Sequence, residues 1–300
     1  MTPAALQSQS TKSQSSAPGR KVPTRRMSFE ESIRELPKHF TRDGDLISSH
    51  VIMALSSVFP DGEDFFVRSV RQFRDLIEDP ALRRQVAGFM GQEATHGREH
   101  RVFNDRLAEL GYPTKAYEKF TRVGLCIRER LLPPKSNLAA TAALEHFTAT
   151  LAELVMRSEE IRDSMGNEAV RDLFLWHALE ESEHKAVAFD VYKAVGGSER
   201  MRVWTMTGFR YGFVLGMGVS VLLSLLRDRD TYRPGTLRES WQRTKVSPIM
   251  DPAIWVQLKD YNRPDFHPDD SDTTEVVETW REDLFGDHGT LKDKLVGAAR

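Results

Sequence analysis

The stretch from Trp176 to His184 constrains the fold of this chain more than any other. If it is helical, steps of four and three residues place His177, Glu181 and His184 on one face of the helix. A carboxylate and two imidazoles are typical ligands of a transition metal, whereas calcium and magnesium prefer oxygen ligands. One helix supplies only part of a coordination shell, so we expect further ligands on other helices.

Three other predicted helices carry matching side chains. Glu93 and His96 repeat the same Glu-x-x-His spacing, and single glutamates stand at Glu63 and Glu145. Two such pairs and two single glutamates on four helices are the ligand pattern of ferritin-like bundles that hold two metal ions. Four inward carboxylates would be unstable in a dry core without cations. The pattern therefore predicts a centre of two Fe ions, with Mn or Zn as alternatives.

Several of these positions have a second interpretation. Glu180 competes with Glu181, because it also lies within one helical turn of two histidines, although the Glu-x-x-His spacing favours Glu181. The alternative for Glu63 is a surface acid in the first turn of a helix, where it would complement the helix dipole. For His100 and His146 we prefer a supporting or surface position to direct metal ligation.

Helical periodicity with almost no strand-type alternation predicts an all-α protein. We expect a ferritin-like helical bundle with extra helices and a largely irregular C-terminal arm. Pro60 is predicted to begin a new helix, since proline is tolerated in a first helical turn. The predicted helices cover about 43–58, 60–76, 80–110, 115–132, 138–163, 168–194 and 199–227, with one short helix near 274–283.

The chain divides into three predicted regions. Residues 1–26 are rich in Ser, Gln, Thr and Lys and lack an apolar core, which indicates a disordered tail and not a secretory signal. Residues 27–228 form the di-metal helical bundle, including an apolar helix at 204–226. Residues 229–300 form a C-terminal arm that packs on the bundle, because prolines and scattered acids replace the helical pattern there.

Composition narrows the classes of partner and compartment. The formal net charge of −2 gives no basic bias, so we expect no nucleic-acid partner. Cys126 is the only cysteine, which excludes an intrachain disulfide and a four-cysteine zinc site. A chain of this kind suits the reducing cytoplasm.

The apolar helix at 204–226 is compatible with several environments. Residues 211–226 carry no charge, and sixteen helical residues span about 24 Å, less than a bilayer core requires. A repeat of small residues allows close helix–helix approach. The alternatives are a buried bundle or homodimer helix, a helix that contacts a membrane peripherally, and a full span. The repeat consists of Gly208, Gly212, Gly216, Ser220 and Ser224.

Five motifs together resemble the bacterial family labelled "predicted metal-dependent hydrolase". They are Phe59-Pro60-Asp61-Gly62-Glu63, Gln92-Glu93-Ala94-Thr95-His96, Ala143-Leu144-Glu145-His146, His177-Ala178-Leu179-Glu180-Glu181-Ser182-Glu183-His184-Lys185 and Arg263-Pro264-Asp265-Phe266-His267-Pro268. The ligand layout is also similar to that of the di-iron arylamine N-oxygenases typified by p-aminobenzoate N-oxygenase, which have a third histidine one turn before the last Glu-x-x-His. These resemblances imply the metal ligands Glu63, Glu93, His96, Glu145, His177, Glu181 and His184.

Three functions are compatible with these features. We expect first an O2-activating oxidoreductase with a di-iron centre, of the oxygenase, N-oxygenase or desaturase type, because a third histidine adds a neutral donor. It would require O2, an electron donor and a small-molecule substrate, for which an apolar compound is one option. The first alternative is a di-metal-dependent hydrolase, as the family label says. The second alternative is a metal-binding bundle without enzymatic activity.

Overall fold

A computed structural model describes residues 20–297, and within this range the all-α prediction is confirmed. This part of the chain contains no β-strand, and one isolated bridge joins Met27 to Leu295. The helices are α1 (Glu30–Ile33), α2 (Leu46–Arg71), α3 (Pro80–Glu109), α4 (Thr114–Leu131), α5 (Pro134–Arg157), α6 (Glu159–Ser164), α7 (Glu168–His184), α8 (Val187–Ala194), α9 (Glu199–Leu225), α10 (Thr236–Val246), α11 (Pro252–Asp260) and α12 (Thr274–Phe285).

Four long helices, α2, α3, α5 and α7, pack side by side and carry the candidate ligands. Two apolar clusters fill the space between them. One lies at the end marked by Phe103 and Leu173, and the other lies at the end marked by Phe89 and Leu138. The buried carboxylates and histidines form a polar layer between these clusters. Burial of the clusters contributes the main favourable free energy of folding, so the polar layer is held by its apolar neighbours.

Side-chain caps explain where the long helices begin. The carboxylates of Asp45 and Asp79 accept hydrogen bonds from the first backbone N–H groups of α2 and α3. Asn167 and Ser198 do the same for α7 and α9. Each cap satisfies an N–H group that has no partner within its own helix, which typically stabilises the helix by about 1 kcal/mol.

The prediction of a break at Pro60 is wrong, because α2 runs without interruption from Leu46 to Arg71. Proline lacks an N–H group and leaves the carbonyl four residues earlier without its helical donor. That carbonyl belongs to Ser56, and the Asn104 side-chain amide donates to it across 3.0 Å. A neighbouring helix thus replaces the missing hydrogen bond. Glu63 consequently lies in the middle of a helix and is 1% exposed, which excludes a surface position in a first turn.

Two predicted single helices are in fact pairs. The predicted helix at 138–163 breaks at Ser158, which caps α6 by accepting from the N–H of Ile161. The predicted helix at 168–194 breaks after His184, where Lys185 turns toward the C-terminal arm. The Lys185 ammonium donates to the Ser271 carbonyl and to the Thr273 hydroxyl, so a tertiary contact accompanies the break.

The C-terminal arm is more helical than its prolines suggested, and the prediction of a largely irregular segment is wrong. It contains α10, α11 and α12, which pack on α2, α5 and α7. Two contacts anchor it. The His267 ring lies 2.9 Å from the Asp190 carboxylate on α8, and the buried Arg202 guanidinium donates to the carbonyl of Arg263 across 2.9 Å. The prolines lie at helix starts and in the connections, where they are compatible with helix.

The predicted disordered tail covers 1–26, and its residues 1–19 lie outside the described range. Residues 20–26 form neither a helix nor a strand and lie against α3. The Gln92 amide donates to the Pro23 carbonyl, and Val22 and Thr24 lie against Gly88 and Gly91. A Cβ at Gly88 would lie 2.1 Å from the Val22 carbonyl oxygen, so only glycine permits this close approach.

Candidate metal centre

Seven glutamate and histidine side chains, all potential metal ligands, converge in the polar layer of the bundle. α2 contributes Glu63, α3 contributes Glu93 and His96, and α5 contributes Glu145, while α7 contributes the rest. All seven side chains are buried. The structure therefore brings together every residue that the sequence singled out as a ligand: Glu63, Glu93, His96, Glu145, His177, Glu181 and His184.

Two groups within this set have ligand atoms close enough to share a metal ion. In the first group, Glu63, His96 and His177 each offer an atom within 4.8 Å of the others. In it, His177 Nε2 lies 3.5 Å from Glu63 Oε1. The second group consists of Glu93, Glu181 and His184, and meets the same limit.

Glu145 lies beside one of these groups, and Glu181 contacts both. Glu145 Oε2 lies 3.3 Å from His184 Nε2, which places it beside the second group. Glu181 reaches both groups, because its Oε1 lies 2.9 Å from His177 Nε2 and its Oε2 lies 3.5 Å from His184 Nε2. Glu181 could therefore contribute an oxygen to a metal ion held by either group.

Unpartnered atoms show that this donor set fits metal ions. Among the described residues, both carboxylate oxygens of Glu63, Glu93 and Glu145 are buried and lack any hydrogen-bond donor. One oxygen of Glu181, together with His96 Nδ1 and His184 Nε2, is also unpartnered. Buried polar atoms in folded proteins are nearly always satisfied. So many unpartnered oxygen and nitrogen atoms facing one another have the composition of an Fe, Mn or Zn coordination shell.

The outer nitrogen of each histidine is held by a partner. His96 Nε2 lies 3.0 Å from a Glu180 oxygen, and His184 Nδ1 lies 2.8 Å from the Gln92 carbonyl oxygen. Such acceptors orient metal-binding histidines and leave the inner nitrogen lone pair free. The contact also separates Glu180 from Glu181: the former supports His96 from outside, and the latter faces the centre.

His177 is oriented by a chain of polar side chains. Its Nδ1 lies 2.7 Å from His100 Nε2, and His100 Nδ1 lies 2.8 Å from the Ser56 hydroxyl. The Ser56 hydroxyl donates to the Asn104 carbonyl oxygen across 2.7 Å. With donors assigned in this direction, every proton is used, His100 is neutral, and His177 Nε2 presents its lone pair to the centre. His100 thus takes the supporting position, as expected, while His146 lies away from the centre against the Gln257 carbonyl.

Sequence reasoning missed two arginines that surround the centre. Arg25 donates to Glu180 across 2.9 Å and to both oxygens of Glu183 across 2.8 Å. Arg281 on α12 donates to Glu183 across 3.0 Å. Two buried carboxylates behind the histidines are thereby neutralised by residues from the N-terminal segment and the C-terminal arm. Arg25 lies outside every predicted helix, and the predicted helix near 274–283 gives no sign of which element Arg281 contacts, so no local sequence signal indicates these contacts.

A family comparison agrees with this geometry. The model of a family described as "Predicted metal-dependent hydrolase" matches residues 23–272. The chain belongs to this family. No curated protein and no solved structure matches the chain. The matched range of the metal-dependent hydrolase family includes all seven converging side chains as well as Arg25, and the family description and the two buried groups both support metal dependence.

Burial and mutual repulsion dominate the electrostatics of the centre in this member of the metal-dependent hydrolase family. Burial, together with the charge of Glu93, raises the pKa of Glu63 well above its usual range. Burial and the charge of Glu181 do the same to the pKa of Glu145. Although burial acts to lower it, the adjacent Glu181 and Glu145 carboxylates raise the pKa of His184 well above its usual range. Metal ions and protons compete for such groups.

A third cluster of ligand-type side chains has a different character. His39, His50 and Asp228 also lie close together. Here the carboxylate is already paired, since the Lys38 ammonium donates to it across 2.7 Å and both histidine rings lie within 3.1 Å of it. The lysine charge beside Asp228 disfavours a metal cation. We interpret this cluster as a hydrogen-bonded structural network.

A cavity connects the centre with the outside. A space of about 240 Å³ lies between α2, α4, α5 and α9, with Glu63 among its lining residues. A smaller space of about 50 Å³ touches His177 and Glu181. Apart from the centre itself, aromatic and aliphatic side chains such as Phe59 and Leu151 form most of the walls. The walls of this route are therefore suited to apolar groups.

Proposed function

We propose that the chain holds two divalent metal ions in the bundle core. Glu63, His96 and His177 would bind one ion, and Glu145 and His184 would bind the other. Glu93 and Glu181 would lie between them. This position is suggested by the distances of Glu93 to His96 and His184, and of Glu181 to His96 and His177. The support for this assignment is the convergence of buried carboxylate oxygens and imidazole nitrogens that have no other partner among the described residues.

The reaction we infer is metal-dependent hydrolysis of a small apolar molecule, such as a carboxylic or phosphoric ester. When bound, two divalent ions would supply Lewis-acid stabilisation of a developing oxyanion and would lower the pKa of water. This inference follows the family description and the four carboxylates of the site, which balance the charge of two divalent ions.

The chain's own residues supply position and a dry environment. His100 orients the His177 ring from behind, and Gln92 does the same for His184. Apolar walls on the approach to Glu63 exclude bulk water, which strengthens the electrostatic interactions inside the site. Arg25 offsets the charge of Glu180, which contacts His96, and of Glu183, which accepts a hydrogen bond from Gln92.

Metal analysis and an anaerobic assay test this function together. The purified protein would be stripped with a chelator, reloaded separately with Mn, Zn, Co or Fe(II), and assayed without O2 on a panel of carboxylic esters and phosphoesters. We expect close to two ions per chain and turnover that needs the metal but not O2. One ion per chain, or no turnover with any metal, would contradict the proposal.

A pair of variants on α3 provides the matched control. Glu93→Gln removes a charge from the centre, whereas Glu109→Gln removes one from an exposed ion pair with Arg106 on the same helix. We expect the first variant to lose at least one ion and hundred-fold or more of the activity, on the order of the loss seen when a group that stabilises transition-state charge is removed. The second should match the wild type.

One observation favours O2 activation as a second candidate. His177 brings a third imidazole to the centre, within 4.2 Å of the His96 ring as measured between centroids. A third neutral nitrogen donor is more typical of oxygen-activating iron sites than of hydrolytic ones, which use mostly carboxylates. This candidate requires iron, O2 and an external electron donor.

The two candidates give opposite results with oxygen. Fe(II)-loaded protein would be exposed to O2, with absorbance and O2 consumption recorded for the wild type and His177→Ala. Stoichiometric O2 uptake that the variant lacks would favour the second candidate. Unchanged O2 levels together with ester hydrolysis under argon would eliminate it.

A further inference from the structure

An apolar groove lies beside the cavity at Glu63 and shares lining residues with it. The groove has a volume of about 1010 Å³ and lies between α9 and α10, with Val221, Leu225 and Trp241 among its lining residues. Leu55 and Leu151 line the groove, the cavity at Glu63 and the small space at His177 alike. The three spaces therefore adjoin at these two side chains, and their combined volume exceeds that of a typical small-molecule pocket.

The small residues of α9 shape this passage. The sequence suggested that they allow another helix to approach closely, but Gly212, Gly216 and Ser220 line the cavity instead. A Cβ built on Gly212 or Gly216 would have no atom within 4 Å. The absence of side chains at these positions leaves the cavity open toward α4.

We propose that the passage binds the aliphatic chain of an acyl substrate, with the reacting ester group at Glu63 and the chain lying past Leu55 and Leu151. Two features of the structure support this class of ligand. Glu63, one of the proposed metal ligands, lines the cavity, which places the polar reacting group of the substrate at that end. The remainder of the wall is apolar, so a polar substituent beyond the reacting group would lose its hydration without compensation.

This inference rests on the proposed function for the reaction, but the binding of the chain can be tested without it. Saturated fatty acids of increasing length would be titrated into metal-free and metal-loaded protein by calorimetry. We expect affinity to rise by up to about four-fold per added methylene until the passage is filled. Affinity that does not depend on chain length would overturn the proposal.

Two substitutions on α9 serve as test and control. Gly212→Leu places a side chain in the cavity, whereas Gly208→Leu adds the same side chain at a position with open space around it that does not line the cavity. We expect ten-fold or greater weakening of long-chain binding in the first variant alone, with unchanged thermal midpoints in both. Equal affinities for both variants would contradict the assignment. Chain-length-dependent binding without ester hydrolysis would leave this inference intact and remove the proposed reaction.

A separate observation concerns the outer surface around the mouth of this passage. α9 is long and apolar enough to cross a membrane by length and composition, and only 17% of its most apolar window is buried in the structure. Exposed apolar side chains continue from α9 onto its neighbour α4. Their exposed fractions are 69% for Leu215, 70% for Trp204, 81% for Phe120 and 75% for Leu131.

Cations flank this apolar surface on both sides. Basic residues outnumber acidic ones in α4 and in α10, which lie on either side of α9. Lys119, Arg130, Arg238 and Lys245 are exposed and have no ion-pair partner within residues 20–297. An apolar centre with cationic edges matches the interface of an anionic bilayer.

We infer that this surface rests on an anionic membrane, with α9 parallel to the membrane plane and the mouth of the passage facing the lipid. A second copy of the chain fits less well, because a two-fold interface on α9 would bring the basic edges of α4 or α10 together. Such a dimer would also cover the mouth. A transmembrane orientation conflicts with the packing of α9 along α2 and α5 and with its buried Arg202 and Arg210.

Vesicle flotation of the full chain tests this inference. The probes are vesicles of phosphatidylcholine alone and of phosphatidylcholine mixed with phosphatidylglycerol. We expect binding to the mixed vesicles, weakened by salt, and about five-fold weaker for each cation removed, as in Lys119→Gln or Lys245→Gln. Leu215→Glu should abolish it, whereas Leu76→Glu, at an exposed leucine between α2 and α3, should not. A dimer that Leu215→Glu converts to a monomer, or equal distribution with both vesicle types, would overturn the inference.

Discussion

Asn104 contacts both oxygens of Ser56. Its side-chain amide donates to the Ser56 carbonyl across 3.0 Å, and its own carbonyl oxygen accepts from the Ser56 hydroxyl across 2.7 Å. The first bond replaces the helical donor that Pro60 lacks. The second orients the Ser56 hydroxyl, which accepts a hydrogen bond from His100. One side chain on α3 thus maintains the continuity of α2 and fixes the ring that supports His177.

We predict that Asn104→Leu destabilises the protein by about 2–3 kcal/mol, because it leaves a buried carbonyl without a donor. Pro60→Ala restores a backbone N–H for that same carbonyl. The loss on Asn104→Leu should therefore be smaller in a Pro60→Ala background, by about 1 kcal/mol. Chemical denaturation of the four proteins in this double-mutant cycle measures the difference. Additive effects would show that Asn104 does not compensate for the proline.

A second prediction concerns the N-terminal segment. Gly88→Ala should displace residues 22–24, since a Cβ there meets the Val22 backbone at 2.1 Å, and Arg25 would move with them. We expect faster hydrogen exchange over residues 22–29 and a destabilisation of about 1–3 kcal/mol from the steric conflict and the unpaired carboxylates. Gly124→Ala, where a Cβ has no atom within 4 Å, is the control. Unchanged exchange in Gly88→Ala would contradict the close contact.

The placement of the seven converging side chains could be predicted because helical spacing determines side-chain direction. Glu93 and His96, or Glu181 and His184, project from the same face whatever surrounds them. That the ligand role belongs to all seven remains a prediction. The continuity of α2 through Pro60 could not be predicted in the same way, because proline is typical of the first turn of a helix. Only the Asn104 amide on another helix makes the continuous helix stable.

The contacts of Arg25 depend on tertiary packing that the local sequence does not indicate. Residues 20–26 have a composition typical of disorder, and their order depends on two glycines that open the surface of α3. The helices of the C-terminal arm are a similar case, since α10, α11 and α12 are short and pack on the bundle. Short helices in water are marginal on their own, so packing and not periodicity decides their formation.

A third prediction concerns the free energy of the metal centre. Glu145→Gln should raise the stability of chelator-treated protein, because it removes one of several buried, mutually repelling carboxylates. The same variant should gain less from added metal than the wild type, for which saturation well above the dissociation constant contributes about 4 kcal/mol. Thermal midpoints with and without metal measure both effects. Glu168→Gln, an exposed acid on α7, should behave like the wild type. A destabilised Glu145→Gln apoprotein would contradict the repulsion.

The last prediction uses the pH dependence of stability at His50, away from the centre. Burial lowers the pKa of His50 from 6.5 to about 4, although Asp228 acts in the opposite direction. The folded protein then binds fewer protons than the unfolded chain between these values. The stabilisation is present above pH 6.5 and is lost as the pH falls toward 4, by up to about 3 kcal/mol.

His50→Gln keeps a polar side chain that can contact Ser224 and Asp228 but cannot titrate. Its unfolding free energy should therefore fall less steeply than that of the wild type between pH 6.5 and 4, with the difference approaching one proton at its steepest. Denaturant titrations at a series of pH values provide both curves. Because the other buried histidines are common to both proteins, the difference isolates His50. Parallel curves would show that His50 titrates equally in the folded and unfolded chains, and the interpretation of His50 as a neutral member of this hydrogen-bonded network would then be wrong.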